Sequence, residues 1–168
     1  MAGLARNLLT IALALPHYRS AAPLGTIASH FHVTPFDTGI ATLKSDRYLQ
    51  LAESAQVDFM VCTGLIGQTL GNGWQFVNAA QLVKFLLPVR LFHRVRVDTR
   101  ILFADEKCAY FAHDFLVSGV PHAQVLVKMK FKNGRLTIPP ATLLGGLPPG
   151  PKPEALQRWD AALDAINP

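Results

Sequence analysis

The sequence predicts an α+β fold in which an antiparallel sheet of about five strands wraps around one long central helix. Three observations support this prediction. A β-favouring segment, residues 26–34, precedes a helical pattern that starts at Ser45 or Asp46. That pattern is apolar on nearly every side, which is typical of a buried helix. Residues 74–138 then alternate apolar and polar side chains in several segments, which is typical of strands.

The first strand and the helix are bounded by recognisable signals. The segment 26–34 is rich in β-branched and alternating residues, and the Pro and Gly residues of 35–39 predict a turn after it. Ser45 or Asp46 can each cap the helix, because both side chains accept hydrogen bonds from exposed amides. The helix is expected to end near Gly64 or Gly67, since glycine accepts the left-handed conformation found there.

Four longer segments and one short segment form the rest of the predicted sheet. These segments cover residues 74–87, 93–103, 108–117, 122–132 and 135–138. The Asn133-Gly134 pair between the last two is a strong signal for a tight hairpin. One central helix with a sheet around it accounts for both the apolar helix and this number of strands.

The chain divides into an N-terminal helical segment (1–22), the α+β domain (23–144) and a Gly/Pro linker with a C-terminal helix (145–168). The apolar run Leu8–Leu15 is too short to span a bilayer, which takes ~20 residues. A helix that packs on the domain or on a partner is favoured over one that lies on a membrane surface. The C-terminal helix is expected to place Leu156, Trp159, Leu163 and Ile166 on one face.

Composition limits the classes of function. Half of the 168 residues are apolar and 16% are charged, which argues against disorder and for additional burial against a partner. The net charge is +5, but the basic residues are scattered, so nucleic-acid binding is not expected. Cys62 and Cys108 lack metal-ligand spacing, and we interpret them as buried free thiols of a cytoplasmic protein.

Several motifs occur in a recognisable order. An Asp turn at Asp37 is followed by the Tyr48-Leu49 pair at the start of the helix and by Glu53-Ser54-Ala55 one turn later. Residues 87–93 (LPVRLFH) look like a Pro-x-Arg-Pro-Phe turn between strands. Together, over residues 26–144, these motifs resemble the hotdog-fold acyl-CoA thioesterases, and most of all the 4-hydroxybenzoyl-CoA thioesterase-like group.

The resemblance implies a hotdog fold and hydrolysis of an acyl-CoA or acyl-carrier thioester to a free acid and a thiol. It implies no cofactor and no metal. It also implies a homodimer, with a tetramer as the alternative, and Asp37 as the catalytic carboxylate at the dimer interface. The residues expected to bind substrate are Gly39, Tyr48, Glu53, Asn78 and Arg90. Arginine suits the phosphates of coenzyme A.

Alternatives remain for most of these positions. Asp37 also suits an ordinary turn, Tyr48 a core position, and Glu53 an ion pair with Arg47 or with a strand arginine. Asn78 also suits the edge of a strand, and Arg90 an exposed strand face. Relatives commonly carry a His-x-Asn-Asn cluster just before the helix tyrosine, where this chain has residues 43–46 (LKSD). This difference favours the alternative of a non-catalytic protein that binds acyl-CoA or acyl chains.

Two further kinds of chemistry rank lower. A hydratase or dehydratase would need a histidine near the helix, and no histidine lies between His32 and His93. His30 and His32 alternate on one strand face, but no third metal ligand is evident nearby.

Overall fold

A computed structural model describes residues 2–166 of the chain, with side chains described from Arg6 onward. Residues 1, 167 and 168, which belong to the predicted terminal segments, lie outside the described residues. The helices are α1 (Ala2–Ala14), α2 (Ser45–Cys62), α3 (Leu65–Gly71), α4 (Pro140–Leu144) and α5 (Glu154–Ile166). The strands are β1 (Ile27–His32), β2 (Gln75–Phe85), β3 (Arg94–Ala104), β4 (Ala109–Val117), β5 (Val120–Asn133) and β6 (Leu136–Ile138).

The strands form one antiparallel sheet in the order β1-β3-β4-β5-β2. The short β6 pairs with residues 131–133 at the end of β5, on the side of β5 that faces away from β2. The sheet curls around α2, which confirms the predicted α+β arrangement. Strand β1 is paired along one side, with β3, and β2 is paired with β5. Both β1 and β2 therefore leave an edge of the sheet open.

The core lies between α2 and the inner face of the sheet. Leu51, Ala55 and Phe59 of α2 are at most 1% exposed, and they belong to one apolar cluster with inward residues of β3, β4 and β5. The Phe59 ring meets the Phe111 ring edge-on, with 5.6 Å between the ring centroids. The apolar sequence of α2 is therefore explained by burial on most of its surface.

Helix boundaries differ from the prediction at one end. Lys44, not Ser45 or Asp46, is the N-cap of α2, and its side chain makes no capping hydrogen bond. At the other end, Gly64 has a φ of 75° and separates α2 from α3, as expected of a glycine after a helix. The helices α3 and α4 were not predicted, because each is short, at seven and five residues.

The N-terminal segment forms a helix that packs beside α2. Its polar side chains face the protein: Arg6 and Asn7 bond residues of the loop before α2 and of α2 itself. Leu8, Leu9 and Leu13 are 59 to 68% exposed on the other side. Within residues 2–166, no helix combines the length and the apolar composition needed to cross a bilayer.

Helix α5 packs on the outer face of the sheet through Leu156 and Trp159. Ile166, predicted on the same buried face, is instead 76% exposed because the helix extends past the sheet contact. Polar contacts also hold α5: the Tyr110 hydroxyl donates to Asp160 at 2.7 Å, and Lys128 pairs with Asp160 at 2.8 Å. Burial would raise the pKa of Asp160, but the donors around it lower that pKa to about 2.

A histidine lies in the middle of the core. His113 of β4 is 0% exposed, and its Nδ1 lies 3.0 Å from the Thr99 hydroxyl. Its Nε2 has no hydrogen-bond partner among the described residues. Burial lowers the pKa of His113 to about 3, against a small opposing effect of Asp114. The imidazole is therefore neutral in the folded protein at neutral pH.

This burial predicts a loss of stability in mild acid. The unfolded chain takes up a proton at His113 near its ordinary pKa of 6.5, whereas the folded chain does so only near 3. As pH falls from 6.5 toward 3, the free energy of unfolding should therefore fall by about 1.4 kcal/mol per pH unit from this group. Urea titrations of the native protein and of His113→Gln at several pH values measure the difference. Identical pH dependence of the two proteins would contradict the prediction.

Candidate active site

The loop between β1 and α2 folds back on itself. The Asp37 amide donates to the Thr34 carbonyl at 2.9 Å, and the Gly39 amide donates to the Thr42 carbonyl at 3.1 Å. The Lys44 amide, at the N-cap of α2, donates to the Asp37 carbonyl at 3.1 Å. The structure thus brings the Asp37 backbone next to the start of α2.

The Asp37 carboxylate is 1% exposed and accepts three hydrogen bonds. Arg6 of α1 donates to Oδ1 at 2.6 Å, while the Thr34 amide and hydroxyl donate to Oδ2 at 3.0 and 2.7 Å. Burial alone would raise the pKa of Asp37, but these donors and the charge of Arg6 outweigh it, so the pKa lies below its ordinary value. Asp37 is therefore charged at neutral pH, and Arg6 covers one of its oxygens.

The start of α2 offers hydrogen-bond donors. The first amides of a helix have no partner within the helix, and no described side chain caps this end. The amides of Ser45 and Asp46 are therefore available to an acceptor, and the helix dipole favours negative charge at this point. A carbonyl oxygen that becomes negative in a reaction would be stabilised here.

A cavity of about 290 Å³ opens beside this helix end. Its lining consists of Thr42, Leu43, Ser45 and Tyr48 together with residues 85–88 (FLLP). The Tyr48 ring is 4% exposed and packs edge-on against Phe85 at 5.0 Å between ring centroids. Burial raises the pKa of Tyr48, against a backbone hydrogen bond at Val89, so the phenol stays protonated. Apolar side chains line one part of the cavity and the polar Thr42 and Ser45 line another, so an acyl group can lie there with its carbonyl near polar atoms.

Of the five predicted substrate-binding residues, Tyr48 lines this cavity, two others lie near it and two do not. Gly39 is in the folded loop, and Arg90 forms an isolated bridge with Thr42, a cavity residue. Asn78 lies at an irregularity of β2, where its Oδ1 is 3.5 Å from the Gln56 amide. Glu53 is exposed and accepts a hydrogen bond from Asn7 at 3.1 Å, so the expected ion pair with an arginine is wrong.

Sequence reasoning missed the contribution of α1 and of the end of β2. Arg6 contacts Asp37 across 31 positions of sequence, and no local pattern indicates such a pairing. Asn7 likewise accepts a hydrogen bond from the Ser54 hydroxyl at 2.6 Å. The apolar run 85–87 before Pro88 is the signal that could have indicated a cavity lining, because three bulky apolar side chains at the end of a strand favour burial against another apolar group.

Neither cysteine is suited to act as a nucleophile. Cys62 and Cys108 are both buried and unpaired, as expected. Burial raises the pKa of Cys62 to about 11, with a further contribution from the Asp58 charge, and burial also raises the pKa of Cys108. In residues 2–166, no three His, Cys, Asp or Glu side chains are grouped as a metal ion would need.

Comparisons with known proteins give a consistent picture. Residues 24–159 match the family described as the thioesterase-like superfamily. Protein THEM6 of Drosophila melanogaster is 26% identical over 133 residues, which are 78% of this chain and 67% of that protein.

Two solved structures show the same fold. A probable thioesterase from Bartonella henselae superposes with a TM-score of 0.62 at 18% identity, over 68% of this chain and 98% of its own. A hypothetical protein from Staphylococcus aureus, solved in complex with CoA, gives a TM-score of 0.64 at 15% identity, over 81% and 94% of the two chains. These matches confirm the predicted hotdog fold.

Proposed function

The chain belongs to the thioesterase-like superfamily, and from this premise we propose that it hydrolyses an acyl-CoA or acyl-carrier thioester to a free acid and a thiol. Membership of the superfamily supports thioester hydrolysis in general. The observation that most supports the finer proposal is the uncapped start of α2, which opens on a partly apolar cavity beside the Asp37 loop.

These residues suggest a reaction geometry. The acyl group occupies the cavity beside Tyr48, and the thioester carbonyl oxygen accepts hydrogen bonds from the Ser45 and Asp46 amides. Asp37 is the carboxylate that takes a proton from a water molecule as the water oxygen bonds the carbonyl carbon. The tetrahedral species then breaks its C–S bond, and the leaving thiolate takes up the proton.

The Arg6 contact regulates how Asp37 can act in this scheme. Arg6 on Oδ1 and Thr34 on Oδ2 use three of about four acceptor positions of the carboxylate, and Asp37 is 1% exposed, so water does not reach it in this arrangement. Proton transfer to Asp37 therefore requires a movement that admits a water molecule, such as displacement of the Arg6 side chain. The burial of Asp37 and the donors around it favour the second candidate function, a non-catalytic protein that binds acyl-CoA or acyl chains.

Release of free thiol from a panel of aliphatic and aromatic acyl-CoAs separates the two functions. Hydrolysis predicts turnover of at least one member of the panel. Tight binding of an acyl-CoA in calorimetry, with no turnover across aliphatic and aromatic members, would exclude hydrolysis of acyl-CoA and support the binding protein. The same assay with an acyl-carrier thioester distinguishes the two kinds of thiol carrier.

Changing Arg6 should shift the pH dependence of turnover. Arg6 lowers the pKa of Asp37, and a general base works only as the carboxylate, so activity is lost as pH falls through that pKa. Arg6→Gln should therefore move the acidic limb of kcat/KM to higher pH. Arg96→Gln is a matched control, because it removes an arginine that pairs with Asp98 at 2.7 Å on the sheet surface. An acidic limb that stays in place in Arg6→Gln would argue against Asp37 as the base.

We also propose that the protein is a homodimer formed through β2. This strand of 11 residues has one open edge, and it exposes apolar side chains on both faces of the sheet. Phe76 and Phe85 lie on the inner face, at 36 and 53% exposure, and Val77 and Leu82 on the outer face, at 46 and 45%. An open apolar edge strand is a template for pairing with another strand, and a second copy of β2 satisfies it.

Light scattering after size exclusion tests this assembly. The native protein should have the mass of a dimer at micromolar concentration, whereas Val77→Lys with Leu82→Lys should yield monomers, because lysine on an edge blocks strand pairing. Leu70→Lys with Leu136→Lys is the control, since these residues belong to α3 and β6, outside β2, and are 73 and 70% exposed. A native monomer, or a dimer that both double variants preserve, would contradict this interface.

A further inference from the structure

Bulky apolar side chains project from two loops at the end of the sheet where α2 begins. Ile40 is 101% exposed, Phe36 is 81% exposed and Phe92 is 74% exposed. We call these three residues the apolar rim. Single exposed apolar residues are common on protein surfaces, but a group of three that large on adjoining loops indicates an interaction site.

Backbone hydrogen bonds join the two loops that present the rim. The Leu91 amide donates to the Ala41 carbonyl at 3.0 Å, and the Phe92 amide donates to the Val33 carbonyl at 2.9 Å. Thr42 and Arg90 add an isolated bridge between the same loops. The rim is therefore held by the sheet and by the start of α2, rather than by two independent loops.

The conformation of Phe92 adds a second observation. Its φ is 65°, in the left-handed region that bulky residues rarely adopt. A phenylalanine held in this conformation with three quarters of its surface exposed adds no core packing to offset the strain. Strain of this kind occurs preferentially at functional positions.

Basic side chains lie on the two loops of the rim or within a few residues of them in the chain. Lys44, Arg90 and Arg94 are all exposed, and none of them takes part in the ion pairs of the described chain. Asp46, the nearby acid at the start of α2, lies 3.6 Å from Arg47. The rim thus combines projecting apolar groups with uncompensated positive charge.

We propose that the apolar rim docks on the surface of an anionic lipid bilayer. Aromatic and aliphatic groups enter the boundary between headgroups and acyl chains, and nearby Lys and Arg side chains bind anionic headgroups. A second copy of the chain fits this surface less well, because a two-fold contact through the rim would place the same cations opposite each other. Bilayer headgroups supply the negative charge that a second copy lacks.

Docking in this way would place the cavity mouth at the lipid surface. Thr42, which bridges to Arg90 of the rim loops, also lines the cavity beside Tyr48. An acyl chain in the bilayer would then have a short path to the start of α2. The docking itself does not depend on thioester hydrolysis, and it is measured without a substrate.

Co-sedimentation with vesicles tests the proposal on the full-length protein. Phosphatidylcholine vesicles with and without phosphatidylglycerol are compared, with the native protein and a variant that combines Phe36→Ser, Ile40→Ser and Phe92→Asn. Asparagine accepts the left-handed conformation at position 92. The control combines Leu70→Ser with Leu136→Ser, which removes two apolar groups, 73 and 70% exposed, from α3 and β6, outside the rim loops.

The expected result is binding that is stronger to vesicles with phosphatidylglycerol, and binding that falls roughly tenfold or more in the rim variant. Lys44→Gln with Arg94→Gln should weaken binding to the anionic vesicles alone, by roughly fivefold for each charge. Failure of the native protein to sediment with anionic vesicles would overturn the proposal, as would a rim variant that binds like the control. The proposal would also be overturned if the rim variant bound vesicles normally and differed from the native protein only in its oligomeric mass, or only in its binding to an acidic protein.

Discussion

Replacement of Asp37 by asparagine is expected to reduce thioester turnover by roughly 10²- to 10⁴-fold, the usual contribution of a general base. Asparagine has nearly the same shape and keeps an oxygen that can accept from Thr34, but it cannot take a proton from water. The loss should therefore appear in kcat for any acyl-CoA that the native protein hydrolyses in the thiol-release assay. The effect on KM should be smaller, because the cavity beside Tyr48 does not include Asp37.

Asp98→Asn provides the matched control for this variant. Asp98 also pairs with an arginine at 2.7 Å, but on the outer surface of β3, so its loss removes an ion pair without touching the loop before α2. Because Asp37 is buried and paired with Arg6, thermal unfolding of each variant should be recorded beside its activity. A folded Asp37→Asn protein with the native turnover would remove Asp37 from the mechanism and leave the amides of α2 as the catalytic groups.

Truncation of Phe59 to alanine is expected to lower the free energy of unfolding by about 3–5 kcal/mol. Phe59 is 0% exposed in the last turn of α2 and packs edge-on against Phe111, so the truncation removes an aromatic contact and leaves a cavity. Neighbouring β-sheet residues cannot move in to fill it, because the strands are held by their ladder hydrogen bonds. Chemical denaturation measures the change.

Phe36→Ala is the control with the same chemical change. Phe36 is 81% exposed, so its truncation should change the free energy of unfolding by no more than about 0.5 kcal/mol. A similar loss in both variants would mean that the α2 contact with the sheet is not the main core of the fold. A Phe59→Ala protein of native stability would contradict the central position of α2.

The elements of the fold follow closely from local sequence. The segments predicted for the strands differ from the observed strands by only a few residues at each end, and the C-terminal helix predicted within 145–168 is α5 (Glu154–Ile166). Alternation and helical spacing are local properties of the chain, so they can be recognised without the tertiary structure. The missed elements, α3 and α4, are too short to produce a periodic pattern.

The capping of α2 shows where local reasoning stops. Ser45 and Asp46 have the side chains of N-caps, yet both lie inside the first turn and Lys44 is the cap. The folded loop decides this position, because the Lys44 amide is held by the Asp37 carbonyl. A contact between two backbone groups has no signature in the residue types that make it.

The candidate site was predicted only in part, because many of its contacts also join residues that are far apart in the sequence. The sequence by itself determined the α+β class, the long buried helix and a carboxylate-bearing turn just before that helix, because each depends on residues close together in the chain. The tertiary structure alone decided that Arg6 covers Asp37, that residues 85–88 line the cavity beside Tyr48, and that Asn78 and Glu53 lie elsewhere. These outcomes depend on how α1, α2 and β2 pack, and packing energies are shared among residues that the sequence places far apart.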